Sequence, residues 1–542
     1  MKPRVRDLEL QSGRLLKDLE DLVRRTKFAA SPKRASDIEE LIYEILGDSA
    51  DIVERPIRLP SGEEALLFYF TSMVEERRIE ETIIEPLSLW QGQTAFQLVE
   101  VEESGIFTTQ VQKTLQGEEI IKGMLQGDAV LGFTNMTGAM VISVRQPKSR
   151  GVQDPLVEVL ARGPRDSFTE TAIWNIALVR RRLVDPNLRV IQKTVGIRSQ
   201  TNVYILYLDD VVNRSALEEL MRRIEQTRID GILDSGMLEQ LIEDNWWTPF
   251  PTFRHTERPD VVTAEILEGR IGIIVDNTPI ALVAPITLDS LFHSPEDTYS
   301  RPVPVTLLRI VRFIASIITV TLPAVYIVVS AYHPALMPLK LATKIANSRE
   351  GVAFPVLFEV LLMQLFLEIL REAGFRLPGP IGQTFGIVGG IVIGELGVRS
   401  GLVSEMMVVV IALTALASFA TPNLLLGTSM RLLGLPIMIL SAVFGAFGFV
   451  IALCLLLAHL VSLRSLGVPY VLPYPFYPYA DFKDTIFRTS LVSNKLRPTY
   501  LGPQQRWRLQ DVRRDVAEPV QGHKHRSQSS GEDAKGEDAN HD

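Results

Sequence analysis

The chain has 542 residues, a formal net charge of −8 and 22% charged residues, yet its mean hydropathy is positive. The net acidic charge, with no basic patch carrying interleaved aromatic residues, argues against nucleic-acid binding. The only cysteine, Cys454, excludes an intrachain disulfide and a cysteine-based metal or redox site. Many charges together with a positive hydropathy indicate that polar and apolar residues are segregated along the chain.

Polar residues concentrate before about position 300 and after about 465, with apolar runs between them. Because these runs are about 20 residues long, the pattern predicts a polytopic α-helical membrane domain attached to a polar α+β part. Residues 1–25 hold no apolar core of a cleavable signal, so we expect the polar part to be cytoplasmic. The predicted regions are a helical amphipathic segment (1–60), two α/β subdomains (61–150 and 151–300), the transmembrane domain (301–465) and a cytoplasmic tail (466–542), disordered from about 515.

The polar part carries a repeated pattern of strands and turns. A strand is predicted at 201–210, "TNVYILYLDD", followed by an amphipathic helix at 215–229, "SALEELMRRIEQTRI". Residues 124–144 and 266–285 share one layout, in which an apolar strand, a turn containing Asn135 or Asn277 and a second apolar strand follow each other. The sequence therefore predicts two similar cytoplasmic α/β subdomains.

Five apolar runs follow, at about 303–330, 353–371, 380–398, 404–421 and 432–463. The last would be about 48 Å long as a helix, more than a hydrocarbon core of about 30 Å, so we expect it to tilt, protrude or break, with "FGAFG" at 444–448 as the site of the break. Basic residues after the last run place the C-terminus in the cytoplasm. With both termini cytoplasmic, the number of crossings is even, so one run must split or be re-entrant.

Several ionisable residues lie within these runs. Arg309 and Arg312 are near the start of the first run, where we expect them to snorkel to the cytoplasmic face. Helical spacing predicts pairing of Arg371 with Glu368 and of Arg376 with Glu372. Charged groups at membrane depth usually face a partner or a water path. The candidates for an ion path are the three deeper carboxylates, Glu359, Glu368 and Glu395.

Four glycines recur at every fourth position of the third run, and a stripe of this kind lets helices approach closely in lipid. The stripe predicts tight helix packing, within the chain or around an oligomeric axis, at Gly382, Gly386, Gly390 and Gly394. No Walker-type loop, paired metal-ligand histidines or Ser-His-Asp pattern is recognisable, so we predict neither an enzyme, nor a metal site, nor a cofactor.

Six motifs resemble, in their order, the A subunits of GerA-type spore germinant receptors. The resemblance covers about 155–490, and a paralogue from the SpoVA operon shares this architecture. The motifs are "RGPRDSFTE" (162–170), "NIALVRRRL" (175–183), "PFPTFRHTERPD" (249–260), "EGRIGIIVDNTPIALVAP" (268–285), "LREAGFRLPGPIG" (370–382) and "SLGVPYVLPYPF" (465–476).

The resemblance implies a protein of the endospore inner membrane, with both termini in the spore core. It implies two partners, a transporter-like B subunit that binds nutrient and a lipoprotein C subunit. It also implies a homo-oligomer, as a pentamer, that forms a nutrient-gated cation channel. The resemblance further implies that the B subunit mostly determines which nutrient is recognised.

Charged residues of these motifs have two interpretations. Those around 162–165 and 256–260 either lock a loop through hydrogen bonds to the backbone or form a gating contact between subunits or parts. The basic helix at 178–183 meets either lipid headgroups or a neighbouring acidic subunit. The gating or interface candidates are Arg162, Arg165, Arg180, Arg181, Glu257, Arg258, Asp260, Arg371, Glu372 and Arg376.

The sequence thus favours a subunit of a nutrient-gated cation channel that triggers germination. Two alternatives remain open at this point. One is a membrane scaffold that assembles germination proteins without conducting ions. The other is a secondary transporter, although no inverted repeat with broken helices is visible in the apolar half.

Overall fold

The computed structural model describes residues 34–60, 62–89, 110–134, 137–145, 158–376, 389–390, 392–473 and 484–508, together with positions 32 and 155. Within these residues the chain forms two α/β lobes, a set of apolar helices and a C-terminal segment. The predicted third apolar run and the tail after 508 lie largely or wholly outside the described residues.

The first lobe is a five-stranded antiparallel sheet with the strand order β1-β2-β4-β5-β3. One face of the sheet is covered by two amphipathic helices, whose apolar side chains pack on alternate strand residues. Because β1 begins at Ile52, the sheet starts inside the stretch assigned to the N-terminal helical region. The elements are α1 (Ala35–Leu46), β1 (Ile52–Arg58), β2 (Glu64–Phe70), β3 (Val111–Thr114), α2 (Gly117–Leu125), β4 (Ala129–Phe133) and β5 (Ala139–Ile142). Between β2 and β3 a continuous helical stretch, formed by Glu76–Ile79, Glu80–Ile84 and Glu85–Leu89, packs on the other face of the sheet.

The second lobe repeats this plan, with the strand order β6-β7-β9-β10-β8. The predicted strand at 201–210 and the helix at 215–229 are confirmed as β7 and α4. The elements are α3 (Ala172–Arg180), β6 (Leu188–Val195), β7 (Thr201–Leu208), α4 (Arg214–Gln226), α5 (Ser235–Ile242), β8 (Arg254–Thr256), α6 (Pro259–Leu267), β9 (Ile271–Val275) and β10 (Ala281–Ala284).

The hairpin repeat predicted from the sequence is present in both lobes. In the first lobe Leu131 of β4 pairs with Met140 of β5, and in the second Ile273 of β9 pairs with Leu282 of β10. Both strands of each hairpin are wholly buried, because helices pack on both faces of each sheet. The two sheets therefore share their strand order as well as these central hairpins.

Among the described residues, the main helices of the apolar half are α7 (Pro302–Ile327), α8 (Leu339–Ser348), α9 (Val356–Arg376), α10 (Glu405–Phe419) and α11 (Leu424–Ser462). Shorter helical pieces lie at Val328–Tyr332, Pro334–Leu336, Val392–Leu396 and Gly397–Arg399. By length and composition, two helical stretches of the described residues could cross a membrane, Pro302–Tyr332 and Leu424–Ser462. Much of their outward surface is apolar and exposed, whereas their inward side chains share one core with α9 and α10.

The break predicted in the last run is confirmed at Gly445, whose φ of 59° and ψ of −141° are not helical. Ser429 and His459, thirty residues apart, both contact the segment 248–249 of the second lobe. A straight helix would separate them by about 45 Å. Hence α11 is two arms, 424–444 and 446–462, whose outer ends lie together beside the second lobe.

The chain then returns to the second lobe. A short hairpin, β11 (Arg464–Ser465) and β12 (Val468–Pro469), is fixed by Ser465 Oγ, which donates to the carbonyl of Thr252 and accepts from the amide of Ile286. Farther on, residues 484–508, termed here the C-terminal segment, run from the start of α7 across the lobe. The Asn213 side chain holds this segment by donating to the Leu501 carbonyl.

Candidate functional site

The main polar site is a junction where the second lobe, the start of α7 and the C-terminal segment meet. Its centre is Arg309, which is 5% exposed. The guanidinium donates to the carboxylates of Asp297 and Asp484, each at 3.1 Å, and to the carbonyls of Asp484 at 2.7 Å and Thr485 at 2.8 Å. One side chain thus binds α7 to the linker before it and to a segment 175 residues later.

Two further arginines extend this network. Arg312, one turn along α7, donates to both carboxylate oxygens of Asp297 at 3.0 and 2.8 Å. Arg488 pairs with Asp484, and its amide donates to Thr306 Oγ1 at 3.0 Å. The C-terminal segment covers Arg309, and both guanidinium groups are bound within the chain. That they lie at the cytoplasmic face of a membrane stays a prediction.

A cavity of about 390 Å³ opens beside this junction, between α6, the start of α7 and the C-terminal segment. Glu265 lies in its wall and joins two buried cations, accepting from Arg254 at 2.8 Å and from Arg270 at 2.5 Å. Because one carboxylate accepts from two guanidinium groups, this cluster of three side chains keeps a net positive charge. Such sharing compensates the desolvation of buried charges only when hydrogen-bond geometry is good.

Two titratable groups of the cavity are shifted in the direction that keeps them neutral. Burial raises the pKa of Asp289 to about 7, although Arg309 opposes the shift. Burial, reinforced by Arg309, lowers the pKa of His293 well below its ordinary value. His293 Nε2 lies 3.0 Å from the carbonyl of Thr485, so this nitrogen carries the proton and donates. The junction therefore contains a neutral histidine at physiological pH.

The structure brings two of the sequence motifs together, "RGPRD" and "TERPD". Arg258 is fully buried and donates to the Pro164 carbonyl at 2.8 Å and to Asp260 Oδ2 at 3.1 Å. Tyr299 O–H donates to the same Asp260 oxygen at 2.6 Å. Gly163, with φ of 139°, passes so close to Tyr299 that a Cβ would lie 3.0 Å from the ring. These contacts correspond to the loop-locking interpretation of Arg258 and Asp260.

The two lobes are joined by Arg180, which is 3% exposed. It donates to both carboxylate oxygens of Asp51, at 2.5 and 2.7 Å, and stacks over the ring of Phe70 at 4.1 Å. Burial alone would raise the pKa of Asp51, but the charge and hydrogen bonds of Arg180 lower it. The Arg180 guanidinium is thus occupied inside the chain rather than presented to lipid or to another subunit.

The pair predicted between Glu368 and Arg371 is confirmed, at 2.9 Å, and a second cation joins it. Arg431 of α11 lies 3.1 Å from the same oxygen of Glu368. Arg371 also donates to Ser418 Oγ of α10 at 3.3 Å. Glu368 therefore connects α9 to α11 in a cluster that carries one carboxylate and two guanidinium groups. In this arrangement the local charge is positive.

Glu359 lies in the first turn of α9 and is 0% exposed. Its Oε1 accepts from the amide of Ser404 at 2.6 Å and from the Ser404 hydroxyl. Ser404 in turn caps α10 by accepting from the Met407 amide. The other carboxylate oxygen is 3.8 Å from Arg349, the residue following α8. Glu359 is thus a buried joint between three apolar helices.

The remaining candidates lie nearer the surface. Glu395 pairs with Arg399 at 2.6 Å, and the predicted pair of Glu372 with Arg376 is confirmed at 2.7 Å. The backbone carbonyl of Glu257 accepts from the Phe168 amide at 2.7 Å, which helps to hold the motif loop. Three other basic candidates, all in the second lobe, are exposed: Arg162, Arg165 and Arg181.

Two of the four stripe glycines, Gly390 and Gly394, lie among the described residues. Gly382 and Gly386 lie outside the described residues. A Cβ on Gly390 would meet nothing within 4 Å, and one on Gly394 would meet only Val408 at 3.9 Å. Among the described residues, no close helix contact uses these two positions. The helix packing expected of the stripe, within the chain or around an oligomeric axis, stays a prediction.

Sequence reasoning missed the acidic partners Asp51, Asp297 and Asp484, because each stands in polar surroundings with no distinguishing pattern. The usable signal was on the basic side: an arginine two turns inside an apolar run needs a partner. In the part of the chain that the structure describes, no group of three or more His, Cys, Asp or Glu side chains could hold a metal ion.

These observations define a class of protein with two α/β lobes of the same strand order. The second lobe is joined by ion pairs and hydrogen bonds to the base of an apolar helical bundle. The chain matches the family model of the Bacillus/Clostridium GerA spore germination protein over residues 40–500. It therefore belongs to the GerA family of spore germination proteins, as the resemblance of its motifs predicted.

Curated relatives match over most of their own length. Spore germination protein KA of Bacillus subtilis (strain 168) is 37% identical over 88% of this chain and 88% of the relative. Spore germination protein GerLA of Bacillus cereus is 38% identical over 86% of this chain and 96% of the relative. A solved structure, the N-terminal domain of the A subunit of the Bacillus megaterium spore germinant receptor GerK3, is 29% identical, covers 48% of this chain and 97% of its own, and superposes with a TM-score of 0.39.

Proposed function

We propose that this chain is the A subunit of a spore germinant receptor and that it forms, as a homo-oligomer in the spore inner membrane, a nutrient-gated cation channel. Membership of the GerA family is the observation that carries the proposal, since it supports a role in spore germination. The proposed partners are a transporter-like B subunit, which binds the nutrient, and a lipoprotein C subunit.

In the proposed arrangement the apolar helices cross the bilayer and the lobes lie in the cytoplasm. The arms 424–444 and 446–462 have 21 and 17 residues. At 1.5 Å per residue they are about 32 and about 26 Å long, close to a hydrocarbon core of about 30 Å. Their outer ends lie beside the second lobe, so the arms would cross inward and outward as a pair. This splitting supplies the even number of crossings that cytoplasmic termini require.

The proposed coupling runs through the Arg309 junction. Nutrient binding by a partner changes the relative stability of a closed and an open state of the oligomer. A movement of the lobes reaches the membrane part at α7, because Arg309 and Arg312 tie the start of this helix to Asp297 and Asp484. The junction thus lets a change in the lobes displace α7.

The proposed ion path uses carboxylates on the bundle, because negative side chains along a pore favour cations. Glu368 is held by Arg371 and Arg431, which we assign to the closed state. Opening would part α9 from α11 and release the carboxylate from Arg431. Glu395, paired with Arg399 near the surface, is a second candidate, whereas Glu359 is enclosed and would act by positioning α9 and α10.

The test is current through the complete receptor in planar bilayers, with amino acids, sugars and nucleosides screened as nutrients. We expect discrete, cation-selective steps whose conductance or open probability changes with Glu368→Gln. The matched control is Glu372→Gln, four residues or about one turn farther along α9, where an exposed carboxylate pairs with Arg376. Equal effects of the two variants would contradict the path assignment. Absence of current from a folded, nutrient-binding complex would contradict the channel and favour a scaffold.

A further inference from the structure

Two adjacent tryptophans stand out from the second lobe at the base of α11. Trp246 and Trp247 are 72% and 76% exposed, and their ring centroids are 5.1 Å apart. The Asn245 side chain accepts from the Trp247 amide at 3.1 Å, and the Thr248 amide bonds back to the Asn245 carbonyl, so the turn that presents them is structured. Large aromatic side chains left in water are costly unless a partner covers them.

The residues that follow the pair are inserted into the base of the apolar bundle. Phe250 is buried in the same core as the apolar helices, and its ring lies 6.2 Å from His459 and 6.3 Å from Tyr470. Thr248 Oγ1 is 3.0 Å from His459 Nε2 in the last turn of α11. The Pro249 carbonyl accepts from Ser429 near the start of α11. One side of the loop is therefore fixed to both arms, and the other side carries the exposed rings.

This anchoring sets the height of the pair along the arms. Trp246 and Trp247 are two and one residues from Thr248, so their backbone lies within about 7 Å of the Thr248 backbone. The Thr248 side chain in turn contacts His459. The interfacial layer on each side of a bilayer is about 5–8 Å thick. If the arms span the hydrocarbon core, the pair lies in this layer.

We propose that the loop carrying Trp246 and Trp247 docks the second lobe on the headgroup layer of the bilayer in which α11 is embedded. The occupant is lipid, because tryptophan combines an apolar ring with one N–H donor and is enriched at membrane interfaces. This inference rests on the proposed membrane arrangement. Together with Arg309, the pair would hold the lobe at two points relative to the helices.

The test uses the full chain reconstituted in phosphatidylcholine–phosphatidylglycerol vesicles whose lipids are brominated near the top of the acyl chain or near its end. Bromine quenches nearby indole fluorescence. Because the chain has five tryptophans, the signal of the pair is the difference between the wild type and Trp246→Phe/Trp247→Phe. Trp174→Phe, which removes a partly exposed indole elsewhere on the second lobe, is the matched control.

We expect the double variant to lose most of the bromine-dependent quenching, and the control to keep it. Quenching should be stronger with bromine near the top of the chain. If the difference signal is insensitive to bromine and remains open to aqueous iodide, the loop does not dock on lipid. Shielding from both bromine and iodide would instead assign the pair to contact with another protein copy and would likewise refute lipid docking.

The single cysteine separates this failure from failure of the membrane arrangement. Cys454 is exposed on the second arm, eight residues or about 12 Å before the end of α11. An embedded arm should protect Cys454 from a membrane-impermeant maleimide. Protection without quenching refutes the docking alone, whereas full labelling of Cys454 refutes the embedding of α11 and the docking with it.

Discussion

Replacing Arg309 by methionine should release the C-terminal segment from the start of α7. The change preserves much of the aliphatic volume but removes four hydrogen bonds. Asp297 keeps Arg312, and the Thr485 carbonyl keeps His293. The unrelieved loss falls on Asp484, whose carbonyl has no other donor among the described residues.

Breaking a buried ion pair typically costs about 3–5 kcal/mol, and one orphaned buried acceptor about 1–3 kcal/mol. Because Arg488 still neutralises the Asp484 carboxylate, we expect the low end, about 3 kcal/mol. Since 1.4 kcal/mol is a tenfold change, local opening should become about a hundredfold more frequent.

The assay is hydrogen exchange followed by mass spectrometry on the detergent-solubilised chain, with peptides from residues 484–508 compared with peptides from β7. Protection should fall about a hundredfold in the C-terminal segment and change little in β7. Arg301→Met is the matched control, because Arg301 precedes the same helix and is exposed, so its loss should cost less than about 0.5 kcal/mol. Equal exchange in the two variants would refute the role assigned to Arg309.

Three further changes test other parts of the structure. Arg180→Met should cost about 3–5 kcal/mol in thermal unfolding, because it leaves Asp51 buried without its cation. As the folded-state pKa of Asp51 is lowered, the stability of the wild-type pair should be present above about pH 4 and be lost as the pH falls below it, a loss that Arg180→Met should lack. Asp289, whose pKa is raised to about 7, holds a proton in the folded state, so stability should fall by up to about 4 kcal/mol as the pH rises from about 4 to about 7; Asp289→Asn should remove this fall, and an unchanged pH profile would contradict the assignment. Gly445→Ala should destabilise the two-armed form of α11 by about 1–3 kcal/mol, since an L-residue is strained at φ 59° and its Cβ would lie 3.2 Å from Tyr332; a thermal midpoint equal to wild type would argue against this backbone conformation.

Features with a local physical cause followed from the sequence alone. Apolar strands around a turn at Asn277 predicted a hairpin, because β-rich runs separated by turn-formers pair with each other. An apolar run too long for a bilayer predicted the break that lies at Gly445. Spacings of three and four residues predicted the pairing of Arg371 with Glu368 and of Arg376 with Glu372. In each case the interacting residues are close along the chain.

The polar joints depended on tertiary structure, because their partners are far apart in sequence. Arg180 finds Asp51 only when the two lobes pack together, 129 residues apart. Glu368 acquires its second cation, Arg431, only when α11 lies against α9. Arg309 is buried only because the C-terminal segment folds back over the start of α7. A buried charge selects whichever partner the fold brings within hydrogen-bonding distance, and no local periodicity encodes that partner.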